Sequence, residues 1–268
     1  MERELLRKVQ NELLDIAIEI KRVCEKNNIQ FFLHGGTLLG AVRHHGFIPW
    51  DDDLDISMLR DDYEKWNSVA ARDLGENYYW QTWDNEEGYP LPFGKVRKRN
   101  TIYLEGKAKM LKENGFFVDV FPLDFAPASE TDRANLRKQQ SKLFKMLLMQ
   151  CKWKPWMINN KLNMKVYIYY LLPKICSKFS TREALIMQYD SITKNVDGNQ
   201  YVYEHLFPKY YNNEWFSDAV KCDFEGVEFP AMKNYKDYLS VTYGDYMKLP
   251  PENERENRHS IEMIKFDD

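Results

Sequence analysis

A run of carboxylates near the N-terminus constrains this chain more than any other segment. Four aspartates stand within five residues, since the chain reads Asp51-Asp52-Asp53-Leu54-Asp55. On an extended strand successive side chains point to opposite faces, so Asp51, Asp53 and Asp55 would share one face, opposite to the second aspartate. Neighbouring carboxylates repel one another and lose hydration when buried. Such a face is therefore either solvated at a strand end or shares a divalent cation.

Two glycines that precede the carboxylates in the sequence favour the interpretation as a cation site. Gly35, Gly36 and Thr37 stand between a short apolar run and a short helix predicted at 37–42. Glycines between a strand and a helix let the backbone approach a phosphate, and the N-terminus of the helix attracts the anion. A phosphate cradle followed by paired acids that hold Mg²⁺ or Mn²⁺ is typical of a nucleotide site.

A third acid fits the same site. The segment Phe117-Val118-Asp119-Val120-Phe121 places one carboxylate in a strongly apolar strand, where an aspartate without a partner or a function is rare. Asp119 is predicted to complete the metal site or to act as a base with a raised pKa. A backbone cap on Asp119 is the structural alternative. Pro122 is predicted to end the strand, and Asp124 is interpreted as a turn residue or helix cap.

Hydrophobic periodicity predicts an α+β chain, a small mixed sheet flanked by helices with a largely helical C-terminal elaboration. We divide it into a catalytic core at 1–130, a basic aromatic helical segment at 131–183 and a helical C-terminal part at 184–268 that completes the site. Helices are predicted at 2–26, 61–74, 133–150 and 235–242, and strands at 29–33, 54–58, 78–83 and 116–121, with a basic strand or hairpin within 90–101.

Charge is unevenly distributed along the chain. Residues 133–182 carry 12 Lys or Arg and no Asp or Glu, whereas the other 218 residues carry 26 basic and 41 acidic groups, a net charge of −15. The basic segment also holds aromatic residues and apolar residues at helical spacing. It suits a solvated helical face, or contact with polyanions or an anionic membrane surface. Nucleic acid is disfavoured as a partner, because the acidic remainder would repel it.

The sequence also predicts a compartment. No apolar run approaches the roughly 20 residues of a membrane-spanning helix, and the N-terminus lacks the apolar centre of a signal peptide. The four cysteines are widely spaced and are expected to be reduced. We therefore expect a cytoplasmic protein, with peripheral contact at the inner membrane face through 133–182 as an open alternative.

The longest motif resembles a known family. Residues 35–56, GGTLLGAVRHHGFIPWDDDLDI, are similar to the LicD family, whose relatives include fukutin and fukutin-related protein and which has a nucleotidyltransferase-like fold. The resemblance extends to 95–101, 117–124 and 243–251, so it covers most of the chain and is weakest in the basic segment.

The resemblance implies a metal-dependent phosphotransferase. It would move a substituted phosphate from a CDP-alcohol to a sugar hydroxyl of a cell-surface glycan or its lipid-linked precursor, releasing CMP. LicD-like bacterial proteins use CDP-choline, and the fukutin branch uses CDP-ribitol. Carried onto this chain, Asp53, Asp55 and Asp119 would be the catalytic acids. Asp53 and Asp55 would hold Mg²⁺ or Mn²⁺, with Asp51 as an outer helper, and Asp119 would complete the metal site or take the proton of the attacking hydroxyl.

Other residues are candidates for binding the donor. Gly35, Gly36 and Thr37 would cradle its phosphate, and Arg43, Lys95 and Arg97 would neutralise it, each with a surface ion pair as the alternative. His44 is a phosphate contact or a structural histidine, and Arg255, Arg258 and His259 are further candidates. A choline head needs an aromatic or acidic cage, for which Trp80, Trp83 and Tyr89 are candidates if they are not core residues.

Several other functions share part of this pattern. A sugar-nucleotide glycosyltransferase also binds Mn²⁺ through D-x-D, but the glycine cradle and the separate Asp119 argue against it. A nucleotidyltransferase would differ in the phosphorus attacked, and a ribitol- or glycerol-phosphate transferase in the alcohol. A non-catalytic binding protein is disfavoured by the intact Asp53, Asp55 and Asp119.

Overall fold

A computed structural model describes residues 1–105, 111–158, 161–196, 198–205, 209–257, 259 and 261–267. These residues form an α+β arrangement, as predicted. The helices are α1 (Arg3–Asn27), α2 (Gly35–His44), α3 (Arg60–Asp73), α4 (Glu130–Gln150), α5 (Met164–Cys176), α6 (Arg182–Lys194) and α7 (Tyr235–Tyr243). The strands are β1 (Phe32–Leu33), β2 (Asp55–Leu59), β3 (Tyr78–Gln81), β4 (Gly94–Lys98), β5 (Ile102–Glu105), β6 (Phe117–Ala126), β7 (Met157–Ile158), β8 (Lys161–Leu162), β9 (Tyr201–Tyr203), β10 (Tyr210–Asn212), β11 (Ala219–Phe224), β12 (Val227–Met232) and β13 (Ile261–Lys265).

A mixed sheet with strand order β1-β2-β6-β4-β3 positions the predicted acids. Strands β2 and β6 are parallel, and the other pairs on this path are antiparallel. Asp119 lies opposite Asp55 on one side and opposite Lys95 on the other. Directly opposed residues on neighbouring strands share a face of the sheet, so these three side chains are neighbours.

The residues that alternate with this row form the core. Ile56, Val96 and Val120 are fully buried and belong to one apolar cluster with α1. Helix α1 begins and ends within one residue of its predicted bounds, and it contributes seven apolar side chains to the buried set: Leu6, Val9, Leu13, Ile16, Ala17, Ile20 and Val23. The amphipathic period therefore predicted both the helix and the face that it buries.

Strand β6 is longer than predicted. Pro122 does not end the strand, which continues to Ala126. Strand β6 pairs with β4 up to Val120 and with β9 from Asp124 onward, and Pro122 lies between these two ladders. In the parallel ladder with β2, Pro122 lies opposite Met58. A proline is tolerated in a strand where no ladder needs its missing N–H.

The interpretation of Asp124 as a turn residue or cap is wrong. Asp124 lies buried in β6, and Arg60 donates to both of its oxygens, at 2.7 Å from Nε to Oδ1 and 2.5 Å from Nη2 to Oδ2. His205 Nε2 lies 2.5 Å from Oδ2, and Tyr189 contacts the other ring nitrogen of His205 at 2.9 Å. This buried network joins β6 to α3 and α6.

The described part of the segment 184–268 contains five strands besides α6 and α7. Sequence reasoning missed these strands, because each spans only three to six residues, and β9 and β13 pair with segments far away in the sequence. Strands β11 and β12 form a hairpin whose turn residues, Glu225 and Gly226, have φ of 55° and 79°. Strand β13 pairs with β5 in a separate two-stranded sheet.

The basic segment forms α4 and α5, separated by the short hairpin β7–β8 rather than by a simple break at Pro155. In the part of the chain that the structure describes, no helix is both long enough and apolar enough to cross a bilayer.

Candidate active site

The four aspartates lie on a loop that leads into β2. Residues 51–54 are irregular and the strand begins at Asp55. The predicted alternation nevertheless holds, because Asp52 and Leu54 are buried whereas Asp51, Asp53 and Asp55 are half-buried. One face of this segment is thus anchored in the core, and the other presents three carboxylates.

Burial and neighbouring carboxylates raise the pKa of the acids in this segment. The pKa of Asp55 lies well above its ordinary value, because the group is buried and because Asp53 and Asp119 are close to it. Burial also raises the pKa of Asp53, with His259 opposing the shift. The described surroundings therefore do not neutralise the negative charge of the cluster.

Lys95 contacts this group of carboxylates through Asp119. Its Nζ lies 2.6 Å from Asp119 Oδ1 and 3.5 Å from the centre of the Phe117 ring, and its side chain is buried. Burial raises the pKa of Asp119 even though Lys95 opposes the shift. The partner of the Asp119 carboxylate is thus a lysine ammonium rather than the backbone cap considered as the alternative.

The N-terminus of α2 lies against the same carboxylates. The helix begins at Gly35, so the two glycines form its first turn instead of preceding it. Gly35 has φ of +51°, and a Cβ there would lie 3.7 Å from Asp55 Oδ2; a Cβ on Gly36 would lie 3.0 Å from Asp51 Oδ2. Side chains at these positions would occupy the space between helix and acids. The helix N-terminus, where anions are favoured, therefore opens onto the acidic face.

Two hydroxyls fix this arrangement. The backbone N–H of Asp55 donates to Thr37 Oγ1 at 2.8 Å, and the N–H of Gly35 donates to Tyr238 Oη at 3.2 Å. Thr37 is buried, so its hydroxyl joins α2 to β2. The structure therefore gives Thr37 a positioning contact within the predicted phosphate cradle.

The two predicted arginines lie farther from the acids. Arg43 stands in the last turn of α2, about 12 Å along the helix axis from Gly35. Its Nη1 donates to the carbonyl oxygens of Tyr246 at 2.9 Å and Lys248 at 3.3 Å. Arg97 is buried, with Nε donating to Gln81 at 2.6 Å. The structure brings Lys95 into contact with the acids, Arg97 lies close enough to Asp119 to oppose the rise of its pKa, and Arg43 makes its contacts elsewhere.

The C-terminal candidates divide into two groups. His259 Nδ1 lies 2.9 Å from Asp52 Oδ1, and its Nε2 lies 3.8 Å from Asp53 Oδ2 and 3.9 Å from Glu105 Oε1. The hydrogen bond to Asp52 raises the pKa of His259 to about 9. Arg255 donates to the carbonyl oxygen of Pro250 at 2.9 Å, away from these carboxylates.

Two candidates for phosphate contact remain, His44 and Arg258. His44 accepts a hydrogen bond from Arg43 Nε at 3.0 Å, which fits the structural alternative. Arg258 lies outside the described residues.

A cleft opens beside Lys95. The hydroxyl of Tyr89 is buried in its wall and has no hydrogen-bond partner among the residues that the structure describes. Glu105, which sequence reasoning did not single out, adds a carboxylate. The lining residues are Tyr89, Leu91, Lys95, Arg97, Tyr103, Leu104, Glu105, Leu111, Asn114 and Trp153.

The other two residues of the predicted aromatic cage are core residues. Trp80 lies edge-on to Trp66 with ring centres 5.6 Å apart, and Trp83 lies edge-on to Tyr189 at 5.5 Å. Tyr89 alone of the three candidates lines the cleft. The alternative of core packing therefore applies to both tryptophans.

The carboxylate oxygens of the acidic face are ligands of the kind that a hard divalent cation such as Mg²⁺ prefers. Within the described ranges, no group of three or more His, Cys, Asp or Glu side chains is gathered so that it could hold a metal ion. Mg²⁺, however, is commonly held by one or two carboxylates together with substrate phosphates. Asp53 and Asp55 supply such a pair, and their mutual repulsion is what a cation would relieve.

Comparison with known proteins agrees with this geometry. The family model described as LicD/FKTN/FKRP, nucleotidyltransferase domain, matches residues 28–151. Over 270 residues the chain is 31% identical to the lipopolysaccharide cholinephosphotransferase LicD of Haemophilus influenzae, and the match covers 97% of both proteins. The chain belongs to the LicD family. It is therefore a phosphotransferase enzyme.

Other proteins match over shorter segments. The human ribitol 5-phosphate transferase FKRP is 33% identical over 63 residues, which are 24% of this chain and 13% of that protein. An uncharacterized protein of Rickettsia prowazekii is 62% identical over 50 residues, 19% of each chain. Among these proteins, the near-complete match is to the Haemophilus influenzae protein.

Proposed function

We propose that this protein transfers phosphocholine from CDP-choline to a sugar hydroxyl of a cell-surface glycan or its lipid-linked precursor and releases CMP. The observation that carries the proposal is the similarity over 97% of the chain to a protein named a lipopolysaccharide cholinephosphotransferase. The match to a ribitol 5-phosphate transferase covers 24% of the chain, which makes a ribitol donor the weaker candidate.

Asp53 and Asp55 would hold the divalent cation in the proposed reaction. A cation held there would supply positive charge to offset the charge that develops on the leaving CMP. The first turn of α2 lies against the same carboxylates, so its N–H groups are placed to bind a phosphate oxygen next to them. Positioning and charge neutralisation are the main requirements of phosphoryl transfer, and this face provides both.

Asp119 is the proposed acceptor of the proton from the attacking sugar hydroxyl. Burial makes this carboxylate more basic than an exposed aspartate, which suits a general base. Lys95, at 2.6 Å, opposes this shift by favouring the ionised form of Asp119. When the donor binds, the same ammonium lies beside the phosphate and adds positive charge to its surroundings.

The cleft beside Lys95 is the proposed site for the choline head. Trimethylammonium groups bind against aromatic faces and near carboxylates. The walls of the cleft supply Tyr89, Tyr103, Trp153 and Glu105. Glu105 also stands close enough to Asp119 to raise its pKa, which places the cleft next to the reacting groups.

A thermal-shift panel with and without Mg²⁺ tests the donor. The ligands are CDP-choline, CDP-ribitol, CDP-glycerol, UDP-sugars and ATP. A ligand at 100 times its Kd stabilises the fold by about 2.7 kcal/mol, which the assay resolves. We expect a Mg²⁺-dependent shift with CDP-choline. A shift confined to another CDP-alcohol would identify that compound as the donor in place of CDP-choline. A shift with UDP-sugars or ATP alone would contradict phosphocholine transfer.

Release of CMP in the presence of a glycan acceptor completes the test. Asp53→Asn should abolish CMP release while leaving the unfolding temperature within about 2 °C of the wild type, since the side chain is partly exposed. Unchanged turnover in this variant would refute the metal assignment. Trp153→Ala should raise KM for CDP-choline more than for CDP-glycerol, because only choline carries the cation.

A further inference from the structure

Helix α5 turns its apolar stripe toward solvent. Met164, Ile168, Leu171 and Ile175 follow one another at spacings of four, three and four residues, which places them on one face of the helix. Leu172 borders this face. In a globular protein such a stripe normally faces the core. Here all five side chains are exposed, and no residue of α5 is buried.

The exposed fractions are large for side chains of this kind. They reach 62% for Ile168 and 68% for Leu172, and Phe179, just after the helix, is 85% exposed. Leu162, just before the helix, is 53% exposed. The stripe therefore continues beyond both ends of α5 as one apolar surface, defined by residues 162, 164, 168, 171, 172, 175 and 179.

A neighbouring side of α5, which carries Tyr167 and Lys174, holds the helix on the protein. The ring of Tyr167 lies edge-on to the buried Trp156, with centres 5.4 Å apart. Lys174 Nζ lies 5.2 Å from the centre of each of these rings. The helix is thus anchored through one face, and this anchoring leaves the apolar surface outward.

Basic residues surround the apolar surface. On a helix of 3.6 residues per turn, Lys165 flanks the stripe on the side away from Tyr167, and Lys161 and Lys178 stand before and after the helix. No Asp or Glu occurs anywhere in 133–182. Apolar side chains between lysines fit the boundary between acyl chains and anionic headgroups, where lysine stems extend toward the phosphates.

We propose that α5 lies in the interface of an anionic lipid bilayer, with its apolar surface inserted and its lysines at the headgroups. A second copy of the chain fits this face less well. A symmetric dimer would place the same lysine-rich rims against each other, and like charges would oppose the contact. The inference goes beyond the proposed function, because it holds whichever CDP-alcohol is the donor.

Cosedimentation with lipid vesicles tests this proposal without any donor or acceptor. The probes are vesicles of phosphatidylcholine alone and vesicles that also contain phosphatidylglycerol. We expect the full chain to bind the anionic vesicles at least tenfold more tightly, with affinity falling as salt rises. Equal binding to both vesicles, or binding to neither, would overturn the proposal.

Variants separate the apolar and the basic contributions. Ile168→Ser/Leu172→Ser should weaken binding at least tenfold, because two apolar side chains are no longer transferred from water into the membrane. Lys161→Ser/Lys165→Ser/Lys178→Ser should weaken binding to anionic vesicles by about fivefold per lysine. Ile18→Ser, at a 41% exposed position on α1, is the matched control and should bind as the wild type does.

The unfolding temperature of each variant shows that the fold is retained, since all substituted side chains are exposed. Two results would contradict the proposal. One is binding that Ile168→Ser/Leu172→Ser does not change. The other is a dimer in sedimentation velocity that this double variant dissociates, combined with no vesicle binding by the wild type.

Discussion

Asp55 lies between the other carboxylates of the site and the N-terminus of α2. It stands opposite Asp119 in the sheet, and a Cβ on Gly35 would lie 3.7 Å from its Oδ2. Burial and the neighbouring carboxylates raise its pKa. In the absence of a cation, the ionised form of Asp55 therefore costs stability in the folded state, whereas in the unfolded state it ionises normally. The cost appears once the pH exceeds the unfolded pKa of about 3.9.

Asp55→Asn should separate activity from stability. We expect turnover to fall by about 10²- to 10³-fold, because a charge that binds the cation is lost. In EDTA at pH 7 the variant should unfold at the same or a higher denaturant concentration than the wild type. At pH 3.5 the difference should shrink, since the wild-type carboxyl is then largely protonated in both states. Asp218→Asn, at an exposed ion pair, is the control for both measurements.

Lys95→Met should lower both the activity and the stability. Without the ammonium, Asp119 is left buried without its cation, and breaking a buried pair costs about 3–5 kcal/mol. Lys98→Met is the matched control on the same strand, because Lys98 pairs with Glu12 in a more exposed setting. Urea unfolding measures both variants. An equal loss of stability in the two would contradict a special role for the pair of Lys95 and Asp119.

The junction of α2 and β2 determines how the acids face the helix. Periodicity and the glycines predicted both elements, and the alternation of Asp with Leu predicted which carboxylates share a face. The sequence could not give the hydrogen bond from Asp55 to Thr37, because that contact depends on how the two elements pack. Nor could it show that β6 continues past Pro122, since the continuation depends on β9.

Thr37→Val should weaken this junction. The N–H of Asp55 would lose its acceptor, at a cost of about 1–3 kcal/mol when the group is buried. The start of β2 would shift relative to α2, and kcat should fall. Thr37→Ser keeps the oxygen and should retain most of the stability and the activity. Chemical denaturation and CMP release measure the two effects, and a Val variant as active as the Ser variant would contradict the positioning role.

At the scale of the whole molecule, distant segments meet around two networks. His259 reaches Asp52 through the pairing of β13 with β5, and His205 reaches Asp124 through the pairing of β9 with β6. The sequence made His259 a candidate but could not give its carboxylate partner, and it gave no signal for His205, since the partner strands are short and far apart in sequence. The local carboxylate motif was therefore predictable, whereas the contacts that complete its surroundings were not.

Asp124→Asn should destabilise the molecule by about 3 kcal/mol at pH 7, because Arg60 would lose its buried anion. Burial alone would raise the pKa of Asp124, but Arg60 and His205 outweigh it and hold the pKa well below its ordinary value. The stabilisation is thus complete above the unfolded pKa of about 3.9 and is lost as the pH falls toward the folded pKa.

Unfolding in urea between pH 7 and pH 2.5 measures this effect. The wild type should lose stability more steeply than Asp124→Asn below pH 4, so the two curves converge in acid. Parallel curves would show that the carboxylate is not the group that carries this part of the stability.

The pairing of β13 with β5 also bears on how the chain matures on the ribosome. Between Ala126, the end of β6, and Lys265, the end of β13, 139 residues must be synthesised. At about 5–20 residues per second this takes on the order of ten seconds. Throughout that interval the nascent polypeptide has its acids and at least five of the seven strands of the mixed sheet, but it lacks His259 and the strand that pairs with β5. An emerging chain therefore passes through a stage in which β5 has no partner strand, and such an unpaired edge favours aggregation that chaperones are suited to prevent.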